Sequence, residues 1–188
     1  MIGFAIGVVT SNAAEWLLHR YVLHGLGRRK KSLWSFHWHE HHRASRRNEF
    51  IDPDYQRSPL GWHAQGKEVY GLIGLCASVL PLAPLSPGYC AGVWASAAAY
   101  YHVHKKSHLD PEWARRWLPW HYDHHMGPDQ DANWCVTFPL FDHILGTRKP
   151  YLGTEREARD RRRQAMRASR AEATVGVEEE HGGLANRA

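Results

Sequence analysis

The placement of the histidines restricts the fold of this 188-residue chain more than any other feature. Fifteen residues are histidine, several-fold more than an ordinary soluble domain contains, and eleven of them fall in four short groups. The first group, HRYVLHG, holds His19 and His24. Residues at this spacing lie about 140° apart around an α-helix, so the two rings reach a common point only if the helix bends locally or other segments complete the site.

The second group, FHWHEHH, packs four histidines into six residues. His37 and His41 lie one helical turn apart on one stripe, and His39 and His42 lie on a neighbouring stripe. Imidazoles at this density are too many to be buried for packing alone. The stretch narrowly misses the HExxH pattern of zinc proteases, because Arg43 stands where the second histidine is needed.

The third and fourth groups follow a long uncharged stretch. His104 and His108 repeat the one-turn spacing that lets two ring nitrogens reach one ion. His121, His124 and His125 share one helical face. These imidazoles are too many for one ion, so we expect two metal ions. With imidazoles dominant and no thiolate pair, iron, zinc, manganese and copper remain open, whereas calcium and magnesium are disfavoured.

Two uncharged stretches flank these groups. Residues 1–14 carry no charged side chain, and with the apolar residues up to Leu18 they are just long enough to reach across a hydrocarbon core. Residues 69–104 are interrupted by Pro81, Pro84 and Pro87, which predicts a hairpin of two short helices. Such a hairpin returns its flanks to one side of a membrane. The alternative is a pair of buried helices in a soluble bundle, which the mean hydropathy of −0.56 favours.

The net charge of +5 comes mostly from Lys and Arg clusters beside the apolar stretches and in the C-terminal region. By the positive-inside tendency, the side that carries the histidines is cytoplasmic. The clusters suit anionic lipid headgroups, and the chain has neither zinc-finger spacing nor a helix-turn-helix pattern, so no nucleic-acid partner is expected.

We therefore expect an all-α, membrane-embedded helical bundle with a short transmembrane hairpin and a cytosolic helical cap that carries a dimetal site. This domain covers residues 1–153, and residues 154–188 form a charged tail that is partly helical and then disordered.

Four histidines stand outside this pattern. His63 and His181 are interpreted as ordinary surface or core residues. His102 and His143 lie near the groups but outside their spacings, which suits a supporting role at most. Asp123 is a candidate for orienting a neighbouring imidazole.

Together the four groups resemble the signature of the membrane-bound fatty acid hydroxylase and sterol desaturase superfamily, which runs HxxxxH or HxxxH, HxxHH, HxxxH and HxxHH. The order is the same here, and NWCVTFPLFDHILGT at residues 133–147 looks like the stretch after the last histidine box of that family. HRYVLHG also looks like the first box of carotenoid hydroxylases, which belong to the same broad superfamily. The second box departs from the pattern, because Trp38 stands at its first position and leaves His37 or His39 to serve instead.

The resemblance implies a non-haem di-iron centre that uses dioxygen to hydroxylate or desaturate a lipid such as a fatty acyl chain or a sterol. No flavin, dinucleotide or haem-attachment motif is present in the sequence, so the electrons would come from a separate ferredoxin or cytochrome with its reductase. Zinc is able to replace iron at imidazole sites. A carotenoid hydroxylase and a non-catalytic membrane metal-binding protein are the alternatives. The implied ligands are His19, His24, His39, His41, His42, His104, His108, His121, His124 and His125, with His37 as the alternative to His39.

Overall fold

The computed structural model describes residues 1–166 and residue 169, and these residues form helices, turns and loops without a strand. The predicted all-α class is therefore confirmed. The α-helices of the described chain up to Leu152 are α1 (Ile2–Leu17), α2 (Arg43–Arg47), α3 (Ala64–Ser78), α4 (Pro87–Leu109), α5 (Pro111–Trp117), α6 (Pro119–Met126) and α7 (Leu140–Ile144). Two segments, Leu18–Leu26 and His37–His42, are π-helical, and short 3-10 turns occupy Pro53–Gln56 and Leu80–Leu82.

The chain forms two compact units, Met1–Leu152 and Gly153–Ala188. The first unit contains all the elements named above. In the second unit, residues 155–166 are helical, and the Glu157 side chain accepts a hydrogen bond from the Gly153 backbone at the start of this helix. The rest of the predicted tail, including His181, lies outside the described residues.

Helices α1 and α4 approach each other closely because glycines stand at their contact. A Cβ atom added at Gly7 would lie 2.4 Å from the Tyr89 carbonyl oxygen, and one added at Gly92 would lie 2.4 Å from the Phe4 carbonyl oxygen. Both distances are shorter than real Cβ contacts, so the two backbones come this near only without side chains between them. This contact matters for the site because α1 runs directly into the segment that carries His19.

The α3–α4 hairpin occupies the second uncharged stretch. Helix α3 ends at Ser78, the chain turns through Leu80–Leu82, and α4 begins at Pro87. Proline is well suited to this first position, because a backbone N–H there would have no acceptor within the helix. The break therefore falls at the prolines, as predicted. None of the helices in the described residues has both the length and the apolar character needed to cross a membrane.

Imidazoles make up much of the interior. Ten histidines are at most 2% exposed, while the two clusters of buried apolar side chains are small. One cluster is built around Phe50 and Tyr122, and the other around Trp16 and Trp134. Polar rings are rarely buried in such numbers unless they have partners, so the interior itself points to a site.

Candidate metal centre

The two π-helical segments align histidines that are five residues apart. In a π-helix each N–H bonds to the carbonyl five residues earlier, so residues at that spacing lie over one another. His19 and His24 therefore share one face of the first segment, and His37 and His42 share one face of the second. In the described chain, the π-helical backbone that brings these histidines onto one face is confined to the two segments that carry them.

The first histidine group lies where these two segments meet α6. Its members are His19, His24, His37, His42 and His124, and all five are buried. The Nε2 atoms of His19 and His37 are 3.0 Å apart. Nε2 of His42 is 3.1 Å from that of His24 and 3.2 Å from that of His124. Two nitrogens that bind one ion at right angles, each about 2.1 Å from it, lie about 3 Å apart, so the spacing of this group fits a metal ion.

The second histidine group joins the end of α4 to the second π-helical segment and α6. Its members are His41, His104, His108 and His125, all buried, and His121 lies beside them with its Nε2 3.0 Å from that of His108. Nε2 of His41, Nε2 of His104 and both ring nitrogens of His125 have no hydrogen-bond partner among the described residues. Buried polar atoms without partners are costly, and a bound cation would satisfy Nε2 of His41, Nε2 of His104 and one of the two ring nitrogens of His125.

Backbone carbonyls hold the outward-facing Nδ1 atoms of three of these histidines. A carbonyl oxygen only accepts hydrogen bonds, so each Nδ1 carries the proton and Nε2 of the neutral ring is left with a free lone pair. The pairs are His19 with Trp134, His108 with Phe50, and His124 with Ala132.

Carboxylates hold two further rings of the second group. Nδ1 of His41 lies 2.7 Å from the Asp52 carboxylate, and Nδ1 of His104 lies 2.6 Å from that of Glu68. The Tyr55 hydroxyl donates to the same Glu68 oxygen at 2.7 Å. Carboxylate partners of this kind orient metal-binding imidazoles and make them more basic. Neither Asp52 nor Glu68 was singled out from the sequence, because both lie outside the histidine groups and at no regular spacing from them.

Burial keeps the imidazoles of the first group neutral. It lowers the pKa of His124 from 6.5 to about 3, and it lowers the pKa values of His37 and His42 well below 6.5, with neighbouring histidines adding to the effect. The neutral form is the one that binds a metal ion. The group is therefore ready to bind a cation at neutral pH without first losing protons.

His39 and its alternative His37 are placed differently by the structure. The structure brings His37, and not His39, into the first group. His39 is only half-buried, and its Nε2 lies 3.1 Å from the Arg28 carbonyl oxygen. The physical reason is the π-helical spacing: His37 and His42 share a face, and a residue two positions after His37 points elsewhere.

The Asp123 carboxylate has partners other than an imidazole. Its carboxylate pairs with Arg148 at 2.7 Å and accepts from the Leu152 backbone N–H at 2.7 Å, so it anchors the end of the first unit and does not orient an imidazole. His102 and His143 are exposed and lie in neither group. His63 is buried outside both groups, with Nε2 2.9 Å from the Ser58 carbonyl oxygen.

An apolar cavity of about 550 Å³ adjoins the first group. α1, the first π-helical segment, α3 and α4 all contribute to its wall, with side chains such as Val8, Leu72 and Phe138. His19 and His37 also line it, whereas no histidine of the second group is among the described residues that do. The first group therefore faces an apolar chamber, and the second is enclosed by protein.

Comparisons of the chain with protein-family models, with curated proteins and with solved structures found no match. The function therefore has to be inferred from the residues and the geometry of the two groups.

Proposed function

We propose that this chain is a membrane-bound, non-haem di-iron oxygenase that hydroxylates or desaturates a lipid. The observation that carries the proposal is the position of two buried groups of imidazoles beside an apolar cavity, with His19 and His37 belonging both to the first group and to the cavity wall. The resemblance of the four histidine groups to the fatty acid hydroxylase and sterol desaturase superfamily supports the same chemistry.

The donor set suits iron. Each group offers at least four neutral or carboxylate-supported imidazoles and no thiolate, which leaves a bound ion strongly electrophilic and the ligands resistant to oxidation. Two iron ions bound here would supply activation of dioxygen and removal of a hydrogen atom from an unactivated C–H bond.

The protein itself would place the substrate and exclude water. An apolar chain in the cavity would lie against His19 and His37, between side chains of α1 and α3. Burying such a chain is favourable because its apolar surface leaves water, at roughly 25 cal/mol per Å². The proton at Nδ1 of His19 is held by the Trp134 carbonyl, which keeps the ring in one tautomer and fixes its direction.

Hydroxylation inserts one oxygen atom of dioxygen into the C–H bond and releases the other as water, which consumes two electrons and two protons. We expect a separate ferredoxin or cytochrome to deliver the electrons one at a time. The exposed cations Arg29, Lys30 and Lys31, in the loop between the two π-helical segments, suit an acidic donor.

The membrane part of the proposal rests on exposed apolar side chains. In α1, Ile2, Ile6 and Val9 are 47–79% exposed, and in the α3–α4 hairpin Ile73 and Leu85 are 54% and 85% exposed. Where large apolar side chains form a continuous exposed patch, the patch marks contact with lipid or with another protein. We propose that these helices contact the bilayer and that lipid reaches the cavity from that side, with the histidine groups on the cytoplasmic side.

The test is turnover by the iron-loaded protein in lipid vesicles, supplied with a reduced ferredoxin and its reductase. The proposal predicts oxygen consumption that depends on added lipid, a hydroxylated or desaturated product, and loss of both in His37→Ala but not in His102→Ala, whose ring is exposed and outside the groups. Bound metal without lipid-dependent turnover on fatty acyl, sterol or carotenoid substrates would favour the non-catalytic alternative. Turnover on the carotenoid alone would identify the other alternative.

A further inference from the structure

Backbone in the left-handed region marks two loops beside the histidine groups. In the part of the chain that the structure describes, the non-glycine residues with positive φ are Glu49 (53°), Phe50 (81°) and Asn133 (60°). This conformation is unfavourable for residues with a side chain and persists where the surroundings enforce it, often at functional sites. Each of these two loops supplies carbonyl oxygens to buried histidines.

Asn133 stands between two such carbonyls. The carbonyl oxygen of Ala132, on one side of it, is 2.7 Å from Nδ1 of His124. The carbonyl of Trp134, on the other side, accepts from Nδ1 of His19. The backbone angles at Asn133 therefore help to set the direction of one carbonyl relative to the other, and through them the relative placement of two rings of the first group.

The turn at Asn133 is fixed from several sides. The Asn133 side-chain amide donates to the Lys149 carbonyl oxygen at 2.9 Å, and its oxygen accepts from the Lys149 backbone N–H at 2.7 Å and from the Arg148 guanidinium at 2.9 Å. The buried Asp142 carboxylate accepts from the Trp134 backbone N–H at 2.8 Å. Asparagine also tolerates the left-handed region better than most residues. These contacts hold a conformation that the chain would otherwise avoid.

We propose that Asn133 is a positioning residue of the first histidine group, whose left-handed backbone sets the Ala132 and Trp134 carbonyls on His124 and His19 so that Nε2 of both rings binds the metal. Asn133 contacts neither a ligand nitrogen nor the cavity and acts only through these two carbonyls. The inference rests on the metal binding in the proposed function, but not on oxygenase activity.

The second group has a similar arrangement at Phe50, where a residue with positive φ holds a histidine through a backbone carbonyl. Its carbonyl oxygen is 2.9 Å from Nδ1 of His108, and its own backbone N–H donates to the Ser45 carbonyl at 2.7 Å. The Phe50 ring also stacks on His108, with the ring centroids 4.5 Å apart. Changing Phe50 would remove this stacking together with the carbonyl placement, so Asn133 offers the cleaner test.

The experiment measures cobalt(II) binding by the full chain in competition with a chelator. The binding event that is lost in His37→Ala is assigned to the first group. Asn133→Ala disfavours the left-handed backbone and removes the side-chain contacts, whereas Asn133→Gly removes the same contacts but permits the backbone. We expect Asn133→Ala to weaken binding at the first group by about ten- to a hundredfold, as loss of an outer partner does, and Asn133→Gly to stay within about tenfold of wild type. Binding at the second group stays unchanged in both.

Gly146→Ala is the matched control. Gly146 also has a positive φ, of 67°, and a Cβ there would meet nothing within 4 Å, so the substitution adds backbone strain without touching the Ala132 or Trp134 carbonyl. Its cobalt affinity should equal that of wild type. Equal losses in the alanine and glycine variants at position 133, a wild-type affinity in Asn133→Ala, or parallel weakening of both groups would overturn the proposal. Should Asn133→Ala not fold, a hundredfold loss in Asn133→Gly would overturn it as well. Two bound ions without turnover in wild type would count against the oxygenase only.

Discussion

The glycine contact between α1 and α4 makes a prediction that can be worked out from distances. In Gly92→Ala, the new Cβ would lie 2.4 Å from the Phe4 carbonyl oxygen, about 1 Å short of an ordinary contact. The Phe4 oxygen belongs to the backbone of α1 and cannot rotate away as a side chain would, so α1 as a whole has to move away from α4. Overpacking of this kind costs about 1–3 kcal/mol. Replacing a helical glycine by alanine returns about 1 kcal/mol, so the free energy of unfolding should fall by up to about 2 kcal/mol.

Gly88→Ala is the matched variant one helical turn earlier. There the added Cβ would lie 3.5 Å from the Phe4 backbone nitrogen, an ordinary contact, so only the gain in helix propensity remains. Thermal unfolding in detergent, followed by circular dichroism, should show a midpoint up to about 8 °C below wild type for Gly92→Ala, no decrease for Gly88→Ala, and a lower midpoint for Gly92→Ala than for Gly88→Ala. Equal midpoints in the two variants would refute the close approach of α1 and α4.

Three further predictions follow from the site. His37→Ala should abolish metal binding at the first group while His39→Ala leaves it intact, as measured by metal content; equal losses would contradict the assignment of His37. Without metal, the fold should lose stability as pH falls below 6.5, because His124 is protonated in the unfolded chain but stays neutral in the fold, where its pKa is about 3. The free energy of unfolding should fall by about 1.4 kcal/mol per pH unit for this histidine. A flat profile of urea unfolding between about pH 7.5 and pH 5.5 would contradict this prediction. Leu72→Trp, which adds bulk at the cavity wall, should weaken binding of a long-chain lipid without changing metal content, whereas Leu82→Trp, away from the cavity, should change neither.

The histidine pattern predicted much of the site because the type of ligand and its spacing along a helix follow directly from the sequence. His104 and His108 sit one turn apart in α4, as their spacing requires, and both are buried in the second group. The break between α3 and α4 was likewise predictable, because proline cannot continue a helix interior. In both cases the determining interaction is local in sequence.

The parts that could not be predicted depend on contacts that are distant in sequence or on an uncommon backbone. An α-helical interpretation of the segment FHWHEHH left His37 and His39 equally suitable, and only the π-helical turn selects His37. Asp52 contacts His41 from a loop, and Glu68 contacts His104 from α3. No regular sequence spacing connects either carboxylate to its histidine. The left-handed backbone at Asn133 follows from its partners near Lys149, which the sequence does not place beside it.

The number of metal ions bound by the purified full chain tests the central claim most directly. After anaerobic loading with iron(II) and removal of excess metal, two ions per chain are expected in wild type, one for each histidine group. His24→Ala, in the first group, and His104→Ala, in the second, should each retain a single ion. A wild-type chain that binds no ion or only one, or variants that both keep two, would contradict two separate metal sites built by these imidazoles.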